Sequence, residues 1–159
     1  MNYDAIVIGA GQGGVPLSQA LARAGKRTAL IEREHVGGTC INEGCTPTKT
    51  MVASARVAHL ARRAADYGVQ TGPITIDMGR VRQRKRDIVT SFRGGSERRI
   101  ANTEGLTLVY GEARFTGPKT LQVGSSVLTA EQIFINDPSG NMVELHQVDQ
   151  CRSRVANPS

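Results

Sequence analysis

The sequence has only three cysteines, no apolar run long enough to span a bilayer, and no basic leader or small-residue cleavage site ahead of its first strand-like segment. The missing run excludes a helical membrane span, which needs about 20 consecutive apolar residues. The missing leader makes a cytoplasmic location the expectation. Closely spaced cysteines in a reducing compartment are more often catalytic or metal-binding than permanent crosslinks. There is no internal repeat and no low-complexity linker. The stretch from Arg80 to Arg99 carries eight arginines and lysines against Asp87 and Glu97, an excess equal to the net charge of +6. It lacks an interleaved aromatic pattern, and no helix-turn-helix, zinc-finger or RNA-binding signature accompanies it. The expected reading is a solvated helix face, with no nucleic-acid partner.

What is present, in 159 residues, suffices for one domain of ordinary size with a hydrophobic core. Tyr3 to Ile8, "YDAIVI", suits a strand buried on both faces. Val15, Leu17, Ala20, Leu21 and Ala24 then recur at helical spacing, with Pro16 in a tolerant first turn and Gly25 placed to cap the end. Thr28 to Ile31 reads as a second strand ending at Glu32, which completes a βαβ unit. An alanine-rich pattern from about Cys40 predicts one helix to about Asp66, closed by Tyr67-Gly68. A further helix is expected over Met78 to Asn102, weakened by Gly94-Gly95. Beyond Gly105 the texture is that of short strands: Leu106 to Tyr110, Ala113 to Phe115, Thr120 to Val123, Val127 to Thr129 and Ile133 to Ile135.

The run Gly9-Ala10-Gly11-Gln12-Gly13-Gly14 follows a strand, opens a helix and precedes an acidic residue at the end of the next strand. That context turns a weak G-x-G-x-x-G match into a dinucleotide-binding fingerprint. Gly9 permits the tight turn, Gly11 lets backbone approach a pyrophosphate, and Gly14 allows close helix–sheet contact. The helix N-terminus offers N–H groups and partial positive charge to phosphates. Glu32 is placed to accept from a ribose 2'-hydroxyl.

"GGTCINEGCTPTK", Gly37 to Lys49, holds Cys40 and Cys45. Residues i and i+5 of an undistorted helix lie about 8 Å apart in Cα distance, beyond the roughly 7 Å limit for a disulfide. A bond between them requires a distorted turn, for which Gly44 and Pro47 supply the means. A strained, accessible disulfide is easily reduced, and a helix N-terminus with Lys49 nearby is expected to lower the thiol pKa values. Two other readings stay open. Cys40 and Cys45 with His146 and Cys151 offer four zinc ligands at admissible spacing, or the pair forms an inert structural crosslink. A redox pair is the favoured reading, and Cys151 a bystander.

With both motifs in hand, the chain resembles the N-terminal segment of the class I flavoprotein disulfide reductases, through "IVIGAGQGG", "ALIE", "GGTCINEGCTPTK" and "YGEARF". "CTPTK" and the helix after it are most similar to the mercuric reductase and dihydrolipoamide dehydrogenase-like members. The resemblance implies an α/β Rossmann-like FAD-binding fold, a parallel sheet with flanking helices plus a β-meander, over residues 1–136, incomplete at its C-terminal side. Residues 137–159 are expected to be an atypical tail. It implies FAD held by Gly9, Gly11, Gly13, Gly14, Glu32, Gly38, Thr39, Lys49, Gly111 and Ala113. It also implies Cys40 as the thiol that attacks substrate and Cys45 as the thiolate that contacts the flavin. Electrons would pass from reduced pyridine nucleotide through FAD to the Cys40/Cys45 disulfide, with NAD(P)H as donor only if a nicotinamide domain is supplied. Substrates by resemblance are small disulfides, thiols or metal ions, and a homodimer is a possible assembly. Family members are longer, continuing into nicotinamide and dimerisation domains. The alternatives are therefore a catalytically incomplete FAD-binding remnant or a zinc-stapled interaction module. The tail "DPSGNMVELHQ" resembles the last turn and strand of a vicinal oxygen chelate domain, where the glutamate matching Glu144 is a metal ligand. Eleven residues cannot build such a site, so no resident metal is expected.

Overall fold

The computed structural model describes residues 1–136 and 142–145. Its contacts divide the chain into two compact units, Met1–Gly38 with Ser96–Ser159, and Thr39–Gly95. The first is organised by one seven-stranded sheet. Strand β1 (Asn2–Ile8) pairs in parallel with β2 (Thr28–Glu32), and β2 in parallel with β3 (Leu106–Tyr110). β4 (Ala113–Gly117) and β5 (Thr120–Val123) form an antiparallel pair, and β5 continues antiparallel onto the start of β6 (Ser126–Asn136). β6 then runs parallel to β1, and β7 (Met142–Leu145) pairs antiparallel with its far end. The order is β3-β2-β1-β6-β5-β4, with β7 beside β6.

β6 is one strand where the sequence suggested two, over 127–129 and 133–135. Its register with β1 runs from Thr129 to Ile135, so β1 holds the polar stretch Glu131-Gln132 extended. On the opposite edge, β5 covers residues 126–129 and β7 covers residues 133–136. The Met142–Leu145 segment of the tail thus pairs with an edge that would otherwise be open, a liability that folds generally cover. The "DPSGN" stretch, His146 and Cys151 lie outside the described residues.

The strand pleat sorts side chains to two faces. Ile6, Ala29, Ile31 and Ile133 join Leu121, Val123 and Leu128 of the meander on one side. Val7 and Leu30 join Val15, Val36 and Ile100 on the other, where Leu17 and Leu21 of helix α1 (Gly14–Arg23) pack. Burial on both faces is what a β-branched run such as "AIVI" achieves in a parallel sheet. α1 ends as its glycine suggested: Gly25 takes φ 80°, and the Gly25 and Lys26 N–H groups donate to Ala22 and Leu21 carbonyls at 2.9 and 3.1 Å.

The second unit is helical. The single helix expected from Cys40 to Asp66 is instead three pieces: α2 (Gly38–Asn42), α3 (Cys45–Arg62) and a 3-10 turn at Ala64–Tyr67. α4 (Met78–Ala101) passes through Gly94-Gly95 without a break and carries the chain back to the first unit. Among the described residues no helix is long and apolar enough to cross a membrane.

Leu30, fully buried on β2, is expected on truncation (Leu30→Ala) to cost about 2–5 kcal/mol. Urea unfolding of wild type and variant measures it, and a loss under about 1 kcal/mol would contradict this packing.

Candidate functional site

In the first unit, the candidate residues gather at the carboxyl ends of the parallel strands, where open α/β sheets bind ligands. β1 runs out at Ile8 and the chain turns at Gly9, which holds φ 99° while its N–H donates to the Ile31 carbonyl at 2.8 Å. A side chain at that φ is strained, so the tight turn depends on glycine. Gly13 takes the N-cap position of α1 and offers no side-chain cap. No acidic residue sits in the first turn either, which leaves the positive end of the helix dipole uncompensated by charge.

Glu32 ties this turn to its surroundings. One carboxylate oxygen accepts the Ala10 N–H and the other the Glu34 N–H, each at 2.8 Å, and its carbonyl accepts the Gly111 N–H at 2.8 Å. A ribose was the ligand expected for this carboxylate from the sequence; in the structure Glu32 fastens three backbone segments. Each oxygen keeps a lone pair for a further donor. Gly111 has φ 146°, and a Cβ there would stand 2.7 Å from Val123 Cγ1, so the "YGEARF" glycine is needed for close approach as well as for conformation. Ala113, the first residue of β4, is half-buried and packs on the core under the sheet.

Gly37, not singled out in the sequence, and Gly38, expected there among the cofactor-binding residues, close the glycine turn. Gly37 donates to the Ala10 carbonyl at 2.7 Å, and its own carbonyl accepts from Gln12 Nε2 at 3.2 Å. A Cβ on Gly38 would lie 3.0 Å from Gly11 Cα. The tandem glycines at 37 and 38, with φ 101° and 57°, were the signal available for this contact. The result is a cradle of closely approaching backbone around Gly9, Gly11 and Gly38, edged by the Gln12 and Glu32 side chains. Such a cradle fits the pyrophosphate of a dinucleotide, with Glu32 at the strand end beside it.

The second unit carries Thr39, Cys40, Cys45 and Lys49. Cys40 is half-buried in α2, and exposed Cys45 is the first residue of α3. Between them the helix breaks because Glu43 and Gly44 both donate to the Thr39 carbonyl, at 2.9 and 2.6 Å. Gly44 has φ −105° and ψ −104°, and a Cβ there would meet Thr39 O at 3.1 Å and Cys40 Cα at 3.6 Å. Pro47, lacking an N–H, falls in the first turn of α3, where no helical acceptor is required. Both cysteines are free thiols, and their side chains hydrogen-bond each other. Thr39 and Lys49 are exposed.

The expected lowering of the thiol pKa is reversed at Cys40. Its hydrogen bond with the Cys45 side chain, then burial, then the charge of Cys45 push it above the ordinary cysteine value, against a Cys45 backbone hydrogen bond and Lys49. A negative charge on Cys45 thus opposes a second one on Cys40. Elsewhere, Glu144 accepts from Gln132 Nε2 at 3.1 Å. Among the described residues no group of three or more His, Cys, Asp or Glu side chains converges as a metal site would.

The chain belongs to the pyridine nucleotide-disulphide oxidoreductase family, whose profile matches residues 3–143. It is 34% identical over 136 residues to dihydrolipoyl dehydrogenase of Mycoplasma pneumoniae, covering 85% of this chain and 30% of that protein. It is 32% identical over 158 residues to mercuric reductase of Bacillus cereus, covering 96% of this chain and 25% of that protein. Among solved structures it is similar to the Cu(II) complex of the HOCl-induced flavoprotein disulfide reductase RclA from Escherichia coli. There the TM-score is 0.69 and the identity 34%, over 86% of this chain and 28% of that one. The chain therefore spans 25–30% of the length of these relatives.

Cys45→Ala removes the hydrogen bond and the charge that raise Cys40 while keeping the backbone N–H that lowers it. The pH midpoint for Cys40 alkylation by iodoacetamide is expected to fall, so that at pH 7.5 the single-cysteine reaction runs faster. An unchanged or higher midpoint would contradict the coupling.

Proposed function

We propose that the chain binds FAD at its glycine turn and works as a flavin-dependent disulfide oxidoreductase or as the FAD-binding part of one. In this reading Gly9, Gly11, Gly13, Gly14 and Gly38 take the pyrophosphate and Glu32 the adenosine ribose. Gly111 and Ala113 border the adenosine end, and Thr39 and Lys49 serve the flavin. The bound flavin would supply two-electron transfer between a reduced pyridine nucleotide and a disulfide. The observation that carries the proposal is the Glu32 arrangement. A carboxylate at the end of β2 grips the glycine turn through the Ala10 N–H, where Gly38 packs so closely on Gly11 that a Cβ would stand 3.0 Å from its Cα.

Cys40 and Cys45 are the proposed dithiol/disulfide pair, Cys40 attacking substrate and Cys45 facing the flavin. Their placement on either side of a helix break supports this, since an unbroken helix holds such residues too far apart to bond. The substrate class is a small disulfide, a thiol or a metal ion, the location cytoplasmic, and the domain boundary falls near residue 136. Because the chain covers under a third of its relatives' length, a nicotinamide-binding partner region belongs to the complete reaction.

Titration calorimetry with FAD tests the first half. Wild type is expected to bind, and Glu32→Ala, which frees the Ala10 N–H as well as losing the ribose acceptor, to bind at least tenfold more weakly. Equal affinity of the two proteins, or no binding by the wild type, would sink the assignment.

A further inference from the structure

The segment between the two cysteines is anchored from elsewhere in the same helical unit. Asn42, the last residue of α2, lies within Cys40-Ile41-Asn42-Glu43-Gly44-Cys45, and its Oδ1 accepts a hydrogen bond from Arg93 Nε at 2.9 Å. Both side chains are half-buried, and the residues stand 51 positions apart. Arg93 forms no ion pair among the described residues, so its charge is not consumed by a carboxylate. Three other arginines of the basic helix bond elsewhere. Arg82 bonds the Met78 carbonyl on its own helix, Arg99 bonds Ser96, and Arg84 reaches the Thr50 carbonyl of α3. Arg93 alone among these holds the cysteine turn itself.

The turn needs such a hold. At the helix break the N–H groups of Glu43 and Gly44 converge on one carbonyl, that of Thr39. A glycine at position 44 adds backbone freedom. A charge-assisted bond to the residue immediately before that convergence restrains the carboxamide end of α2 and with it the approach of Cys40 to Cys45.

We propose that Arg93 is a positioning residue for the Cys40–Cys45 turn, its hydrogen bond to Asn42 raising the effective concentration of one sulfur toward the other. The proposal rests on the redox reading of the pair. In exchange with oxidised glutathione, one cysteine thiolate attacks a glutathione sulfur, releasing one glutathione thiolate and leaving a mixed disulfide. The second cysteine thiolate then displaces the other glutathione and forms the Cys40–Cys45 bond. Two glutathione thiols are made, and the electron pair from the protein dithiol resides on them. The equilibrium constant of this exchange reads the effective concentration directly.

The full chain is equilibrated in glutathione buffers of graded ratio, quenched with acid, alkylated and counted by mass. Asn42→Ala and Arg93→Leu are each expected to lower the exchange constant about tenfold, with the double variant no lower than either single. Arg93→Lys, which keeps charge but not the guanidinium fork, is expected to recover part of the loss. Arg86→Gln, an exposed residue on the same helix, is expected to match wild type. Asn42→Ala keeps the test available if Arg93→Leu does not fold, as judged by circular dichroism. Exchange constants within twofold of wild type for both Asn42→Ala and Arg93→Lys would overturn the positioning role. Additive losses in the double variant would overturn it too. A wild type in which no Cys40–Cys45 disulfide forms at any ratio would sink the redox reading, and the proposal with it.

Discussion

Much of the first unit depends on where one carboxylate sends its oxygens. Glu32 closes a circuit of three backbone segments: the glycine turn through Ala10, the loop after β2 through Glu34, and, through its carbonyl, the turn after β3 at Gly111. These segments have no regular secondary structure to satisfy their N–H groups, and an unsatisfied buried donor costs about 1–3 kcal/mol. A charged acceptor at the end of a central strand meets that need and orders the loops around itself. The glycines are then the complement of the same constraint. Gly38 can stand against Gly11, and Gly111 against Val123, because neither carries a Cβ. This packing sits at the start of α1, which has no side-chain cap and no acidic residue in its first turn, and an anionic ligand is what such a helix end favours.

The cysteine turn follows a different logic. Helix geometry keeps the two positions apart, so the chain interrupts the helix, and the interruption has to be stabilised locally. Thr39 supplies the carbonyl, Gly44 the backbone angles and Pro47 the absence of a donor in the new first turn. The thiols then find each other, and their mutual hydrogen bond raises the Cys40 pKa more than Lys49 lowers it. Thiol chemistry here is a property of the pair. A lone helix N-terminal cysteine would be expected to move the other way.

What could be read from the amino acids alone was whatever depends on neighbours in the chain. The strand, glycine turn, helix and second strand from Tyr3 to Glu32 announce themselves by pattern, and Gly25 by its capping position. The basic helix kept its extent because two glycines within 24 residues do not undo it. What escaped depends on distant partners. The helix break after Asn42 needs the Thr39 carbonyl to take two donors, and composition is silent about this. The continuity of β6 comes from β1, whose register spans the polar residues that looked like a gap. Gly37 was visible as half of a tandem pair, but its bond to Ala10 crosses from one loop to another. The Arg93–Asn42 contact joins residues far apart in a segment whose charge suggested only solvation.

The measurement that bears most directly on this account is an anaerobic reductive titration of the protein reconstituted with FAD, counting reducing equivalents per bound flavin. A flavin and a coupled Cys40/Cys45 disulfide each accept one electron pair, so the account predicts uptake of two pairs per flavin, with two new thiols appearing. Uptake of a single pair with no new thiols, or a protein that retains no flavin, would contradict it.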